Sequence, residues 1–398
     1  MTESISAGSD ATVQEIVARV RAVIGQESGF VPLHEPEFHG EEWALVKDCI
    51  DSGWVSSVGK YVDQFETEIA RISGAKYGVA VVNGTAALEI CLKVVGVERE
   101  DEVLMPSLTF VATANAASHL GAVPHFIDCS YKTLGLSAEA LELRLAQIAE
   151  LRPEGTFNLE TGRRISAIVP MHAFGVPVDI DDILAVAERY NIPVIEDAAE
   201  SLGSTYKGKP CGGLGRIGAI SFNGNKILTT GGGGAIVTND EALAKRAKHL
   251  TTTAKIPHKW AFEHDEIGYN YRMPNINAAL GVAQLRQLNV RLEQKQNLFS
   301  KYVAAFAGCE AARVFEAPDH TSSNNWLIAL ILDASEIVSR DAVLTALNDA
   351  GYMSRPIWNL LHRQKIYEAC PHGDLSVCED LEKRIINVPS SAKLGANS

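Results

Sequence analysis

The stretch AISFNGNKILTTGGGGAIVT (219–238) sets two short apolar runs, AISFN and GAIVT, on either side of a lysine and four consecutive glycines. Runs of this length, rich in Ile, Val and Ala and bounded by Gly and Asn, predict buried strands. The same pattern repeats upstream in YGVAVV (77–82), EVLMP (102–106), VPHFID (123–128), AIVP (167–170) and PVIED (193–197). Between these runs the apolar residues switch to helical spacing, as in 85–95, 112–120, 138–149, 180–190 and 241–249. Strands alternating with helices predict an α/β fold with a mostly parallel sheet of about seven strands, flanked by helices on both faces. In such sheets ligands gather at the carboxyl ends of the strands. The loops there hold Asn83-Gly84-Thr85, Ser107 to Phe110, His172, Asp197 and Lys226.

Downstream, residues 275–307 read as one long helix, and a smaller α+β domain follows, with a strand at 325–332 and a helix at 340–350. The expected division is an N-terminal extension (1–30) with a short amphipathic helix at 12–24, a large α/β domain (31–275), and a linker helix with a small C-terminal domain (276–398). No apolar stretch is long enough for a bilayer span, and the acidic N-terminus has no secretory pattern. The formal net charge of −13 makes nucleic acid a poor partner. Seven scattered cysteines speak for a reducing cytoplasm, and the spacing of Cys370, His372 and Cys378 fits no standard zinc pattern.

Two motif matches fail on context. GLGRIG (213–218) has the form of a dinucleotide fingerprint, but a strand follows it where a helix is required. GSTYKGK (203–209) approaches a phosphate-binding P-loop, but Pro210 stands where a magnesium-binding hydroxyl belongs.

The remaining polar positions have two readings each. Gly84, Thr85 and Ala86 open a helix after a strand, which serves as a plain cap or as a phosphate cradle. Asp197 ends a strand and either caps the next helix or pairs with a cationic ring nitrogen. Lys226 is a surface charge or, if desolvated between a strand end and the glycines, a nucleophile. Arg355 beside Trp358, and Trp54 near Lys60 in a Gly/Ser-rich loop, suit a diphosphate and a sugar, or an ordinary contact and a solvated lysine.

Taken in order, NGTAAL, IEDAAESLGS, SFNGNKILTTGGGGAIVT and GYNYRM resemble the DegT-type sugar-nucleotide aminotransferases of fold-type I, over roughly 31–394. The resemblance implies pyridoxal 5'-phosphate (PLP) as cofactor, bound covalently by Lys226. It implies Asp197 at the pyridine nitrogen, Phe110 on the ring, and Gly84, Thr85 and Ser221 at the phosphate. Asn270 would reach that phosphate from the second subunit of a homodimer with shared active sites. Many members carry Gln or His where this chain has Glu200, and a carboxylate near the cofactor's phenolate is repulsive unless protonated or turned away. The stretches GWVSSVGKYVDQFE (53–66), NNWLIAL (324–330), SRPIWNLLH (354–362) and NVPSS (387–391) resemble enzymes that aminate C4 of a UDP-linked 4-keto-6-deoxy-N-acetylhexosamine. Trp54, Lys60, His172, Arg355 and Trp358 are the matching substrate positions, and glutamate the donor. Rival readings are C3 amination of a dTDP- or UDP-keto sugar, a cysteine desulfurase using Cys211, and a regulatory protein on the same fold.

Overall fold

The computed structural model describes residues 2–25, 29–333 and 339–396, with side chains from residue 11 onward. Seven strands form the main sheet: β1 Tyr77–Val81, β2 Glu102–Pro106, β3 Val123–Ile127, β4 Arg164–Ile168, β5 Ile195–Asp197, β6 Ile217–Ser221 and β7 Gly234–Thr238. Hydrogen-bonded pairs give the order β1-β7-β6-β5 and β4-β2-β3. The two halves join where Ile168 bridges Val194 and Met171 bridges Asp197. Only β7 runs antiparallel to its neighbours. The expected strands are all present. The fourth, Arg164–Ile168, starts three residues before its apolar run and ends two residues before Pro170, which has no N–H to donate to a ladder.

The strands read as continuous apolar runs because both faces are covered: Val103, Leu104 and Met105 are all fully buried. A hairpin of Ala149–Arg152 and Gly155–Asn158, unforeseen in the sequence, pairs onto β4. The failed motifs resolve as turns. Residues 203–210 form a tight hairpin turning at Lys207, which has φ +47°. The amides of Gly212, Leu214 and Gly215 all donate to the buried Glu196 carboxylate, at 2.8, 2.6 and 2.7 Å.

The long helix expected over 275–307 is two helices, Asn275–Leu285 and Leu288–Phe306. Packing changes partner along the second of them. Ala278, Val282, Leu285 and Leu288 belong to the main apolar core. Leu298, Tyr302 and Phe306 belong to a second core with Leu330, Val343 and Leu347. The second core covers an antiparallel sheet ordered 312–314, 328–332, 385–388, 355–356. The N-terminal helix, Thr2–Ile24, packs on the body: its buried stripe of Val13, Ile16, Val17, Val20 and Ile24 lies in that second core. Among the described residues no helix is long and apolar enough to cross a membrane.

Candidate active site

The carboxyl ends of β1, β2, β5 and β6 open into a cavity of about 580 Å³. Nine expected residues line it: Gly84, Thr85, Phe110, Asp197, Glu200, Ser221, Lys226, Arg355 and Trp358.

After β1 the chain turns at Asn83, whose side chain accepts the Ala86 N–H at 2.8 Å and caps the helix Gly84–Val94. Ala86 therefore spends its amide on the cap and does not line the cavity, against expectation. The first amides of a helix have no acceptor within it, so those of Gly84 and Thr85 remain for an anion. A Cβ on Gly84 would stand 2.9 Å from the Ser221 Cβ, so only glycine lets the turn lie this close to the serine.

Asp197, at the end of β5, is fully enclosed. The Thr113 hydroxyl donates to it at 2.7 Å and the Ala199 amide at 3.2 Å. Burial pushes its carboxyl above the ordinary range, against these two donors and the Lys226 charge. Lys226 has only 11% of its side chain exposed, and its Nζ lies 3.0 Å from Glu200 Oε1. The other Glu200 oxygen accepts the Phe174 N–H at 2.8 Å. Burial likewise raises the Glu200 carboxyl, opposed by the Lys226 charge and these hydrogen bonds. The Phe174 amide is presented from a left-handed backbone, φ +57°, uncommon for a bulky residue and often found at functional sites.

Trp326, unread as a site residue in the sequence, places its ring 3.9 Å beneath the Lys226 ammonium. Its indole N–H donates to the Asn225 carbonyl at 2.7 Å, and its own carbonyl accepts from the buried Lys295 at 2.7 Å. Trp358 stacks on Phe174 with centroids 4.8 Å apart. Phe110 offers an open face, 48% exposed, to the cavity.

Besides Ala86, four expected residues lie outside the cavity. His172 is fully buried: Nε2 meets Glu196 at 3.0 Å and Nδ1 accepts the Val178 amide at 3.2 Å, so no ring nitrogen is left for a ligand. Trp54 and Lys60 line a second depression, where Lys60 pairs with Asp48 at 2.9 Å. Asn270 is exposed, bridged to Thr252 outside the cavity. Cys211, which a desulfurase would need mobile, is buried, and burial pushes its thiol well above the usual range.

The cavity's donor set fits PLP. It has a glycine cradle with free amides, a buried carboxylate steadied by a hydroxyl, and an enclosed amine between them. The sequence profile of the DegT/DnrJ/EryC1/StrS aminotransferase family matches residues 36–398. The chain belongs to that family. This aminotransferase is 38% identical over 366 residues to EpsN of Bacillus subtilis (strain 168), covering 91% of each chain. It is 36% identical over 361 residues to GDP-perosamine synthase of Caulobacter vibrioides, covering 90% of this chain and 92% of that one. The crystal structure of the aminotransferase TlmJ from Streptoalloteichus hindustanus superposes with a TM-score of 0.81 at 28% identity, over 91% and 94% of the two chains. The enzyme is thus a PLP-dependent sugar aminotransferase of fold-type I, acting on nucleotide sugars. The regulatory reading is set aside.

Proposed function

We propose that this aminotransferase moves an amino group from glutamate to the C4 ketone of a UDP-linked 4-keto-6-deoxy-N-acetylhexosamine, as a cytoplasmic homodimer. The observation that carries the catalytic part is the enclosure of Lys226 and Asp197 in one cavity with Arg355 and Trp358. Bound PLP supplies an aldehyde for amine exchange and a ring that takes up the electron pair left when a C–H bond breaks. Lys226 supplies the amine that holds the cofactor. Its amine would also serve as general acid and base, taking up and giving back a proton at Nζ. Asp197 would hold a proton on the cofactor's ring nitrogen, Phe110 would cover the ring, and Gly84, Thr85 and Ser221 would hold the phosphate. Asn270 of a second copy completes that phosphate site. Arg355 pairs with the diphosphate, and Trp358, fixed by its stack on Phe174, presents an aromatic wall to the sugar nucleotide.

The C4 position and the uridine nucleotide rest on the likeness of 53–66, 324–330, 354–362 and 387–391 to that enzyme class. A GDP-linked sugar is the second reading, favoured by the Caulobacter relative. Incubating the enzyme with glutamate and either UDP- or GDP-linked 4-keto sugars separates the two, with NMR locating the new amine. An amine at C4 of the UDP sugar is expected. Turnover of the GDP sugar alone, or amination at C3, overturns the proposal.

A further inference from the structure

We propose that Glu200 is the base that takes the proton from the Lys226 ammonium, so that the two side chains hold one proton between them whenever the lysine exchanges partners. This rests on the reading of Lys226 as the residue that bonds PLP.

The geometry is direct. Glu200 Oε1 lies 3.0 Å from Nζ, within reach of a single proton transfer. Its second oxygen is tied to the Phe174 amide at 2.8 Å, so the carboxyl is held and its reactive oxygen stays aimed at the lysine. An ammonium has no lone pair, so it must shed a proton before it can bond a carbonyl carbon. In the transfer one Nζ–H bond breaks and one Oε1–H bond forms, and no proton leaves for solvent. Asp197, also in the cavity, works against a second full negative charge here, and burial raises the Glu200 carboxyl. Both effects ease protonation of Glu200. The groups facing Glu200 are the Lys226 ammonium, the Asp197 carboxylate and the Phe174 amide, while Asn324 donates to its backbone carbonyl at 2.8 Å; the His34 ring faces Lys226 across a small neighbouring pocket. The Trp326 ring, 3.9 Å from Nζ, also stabilises the charged lysine.

The pH dependence of PLP capture tests this. Full-length chain stripped of PLP is mixed with PLP, and the borohydride-sensitive yellow absorbance is timed across the neutral range. Since the pair exchanges its proton internally, the wild-type rate is expected to stay nearly level. In Glu200→Gln the lysine must lose its proton to water, so the rate should climb about tenfold per pH unit and fall at least about tenfold below wild type at neutral pH. Equal slopes, or faster capture by the variant as for a mere counter-ion, overturn the proposal. A second measurement needs no variant: the infrared difference between stripped and PLP-loaded wild type should show a protonated carboxyl gained on loading, and no gain overturns the proposal. If Lys226→Ala still bonds PLP, the reading of the site fails first. If it does not and the slopes are equal, only the role of Glu200 fails.

Discussion

Asp197 shows how single side chains trade stability for chemistry. Burial raises its carboxyl, and an acid raised in the folded state stabilises only below its ordinary range; that contribution is lost as pH rises through the elevated value. Ionising Asp197 in the cofactor-free chain therefore costs stability. Asp197→Asn should raise the melting midpoint of the cofactor-free protein at neutral pH, with the difference shrinking in mild acid. Turnover should fall by roughly 100-fold or more, because a neutral amide cannot hold the ring nitrogen's proton. Thermal scans over a pH series and steady-state rates check both halves. Lys226 and Asp197 were legible because one closely follows and the other ends an apolar strand. Trp326 was not: it lies one hundred residues further on, read as the start of a strand, and its contact with Lys226 exists only after the C-terminal part folds over the cavity. His172 misled for the opposite reason. It stands in the loop after β4, but its partner Glu196 points to the reverse side of the sheet's end and holds it there.

Elements place these side chains. The helix Gly84–Val94 aims its first turn at the cavity because Asn83 caps it and Gly84 lets Ser221 approach. Gly84→Ala would force that contact apart, and the dissociation constant for PLP should rise by about 10- to 100-fold, as read from titration of the yellow absorbance, with little loss of secondary structure. The turn at 212–215 depends on one buried carboxylate that also meets His172. Glu196→Ala leaves three amides unpaired and should destabilise the protein by about 3–5 kcal/mol in denaturant unfolding. The strands and helices of the main sheet were readable from periodicity. The break between Leu285 and Leu288 was not, since apolar spacing continues through it and both leucines pack on the same core.

At the scale of the molecule, the N-terminal helix lies outside the matched family region, 36–398, yet its apolar stripe completes the second core. Deleting residues 1–25 would uncover Leu298, Tyr302 and Phe306 and should lower the melting midpoint by several degrees while leaving the lysine's chemistry in place. The sequence predicted a helix there, but its packing partner depends on tertiary contacts that no local pattern encodes. Two half-reactions through one cavity should give parallel double-reciprocal lines with glutamate and keto sugar varied, and intersecting lines would count against a single shared site.

The central claim is that Lys226, enclosed between Glu200 and the Trp326 ring, bonds the cofactor. Borohydride reduction of the purified enzyme followed by peptide mapping tests it most directly. The predicted result is one PLP-modified peptide carrying the adduct on Lys226, absent from Lys226→Ala. An adduct on any other lysine, or an unchanged yellow band in that variant, would contradict the account.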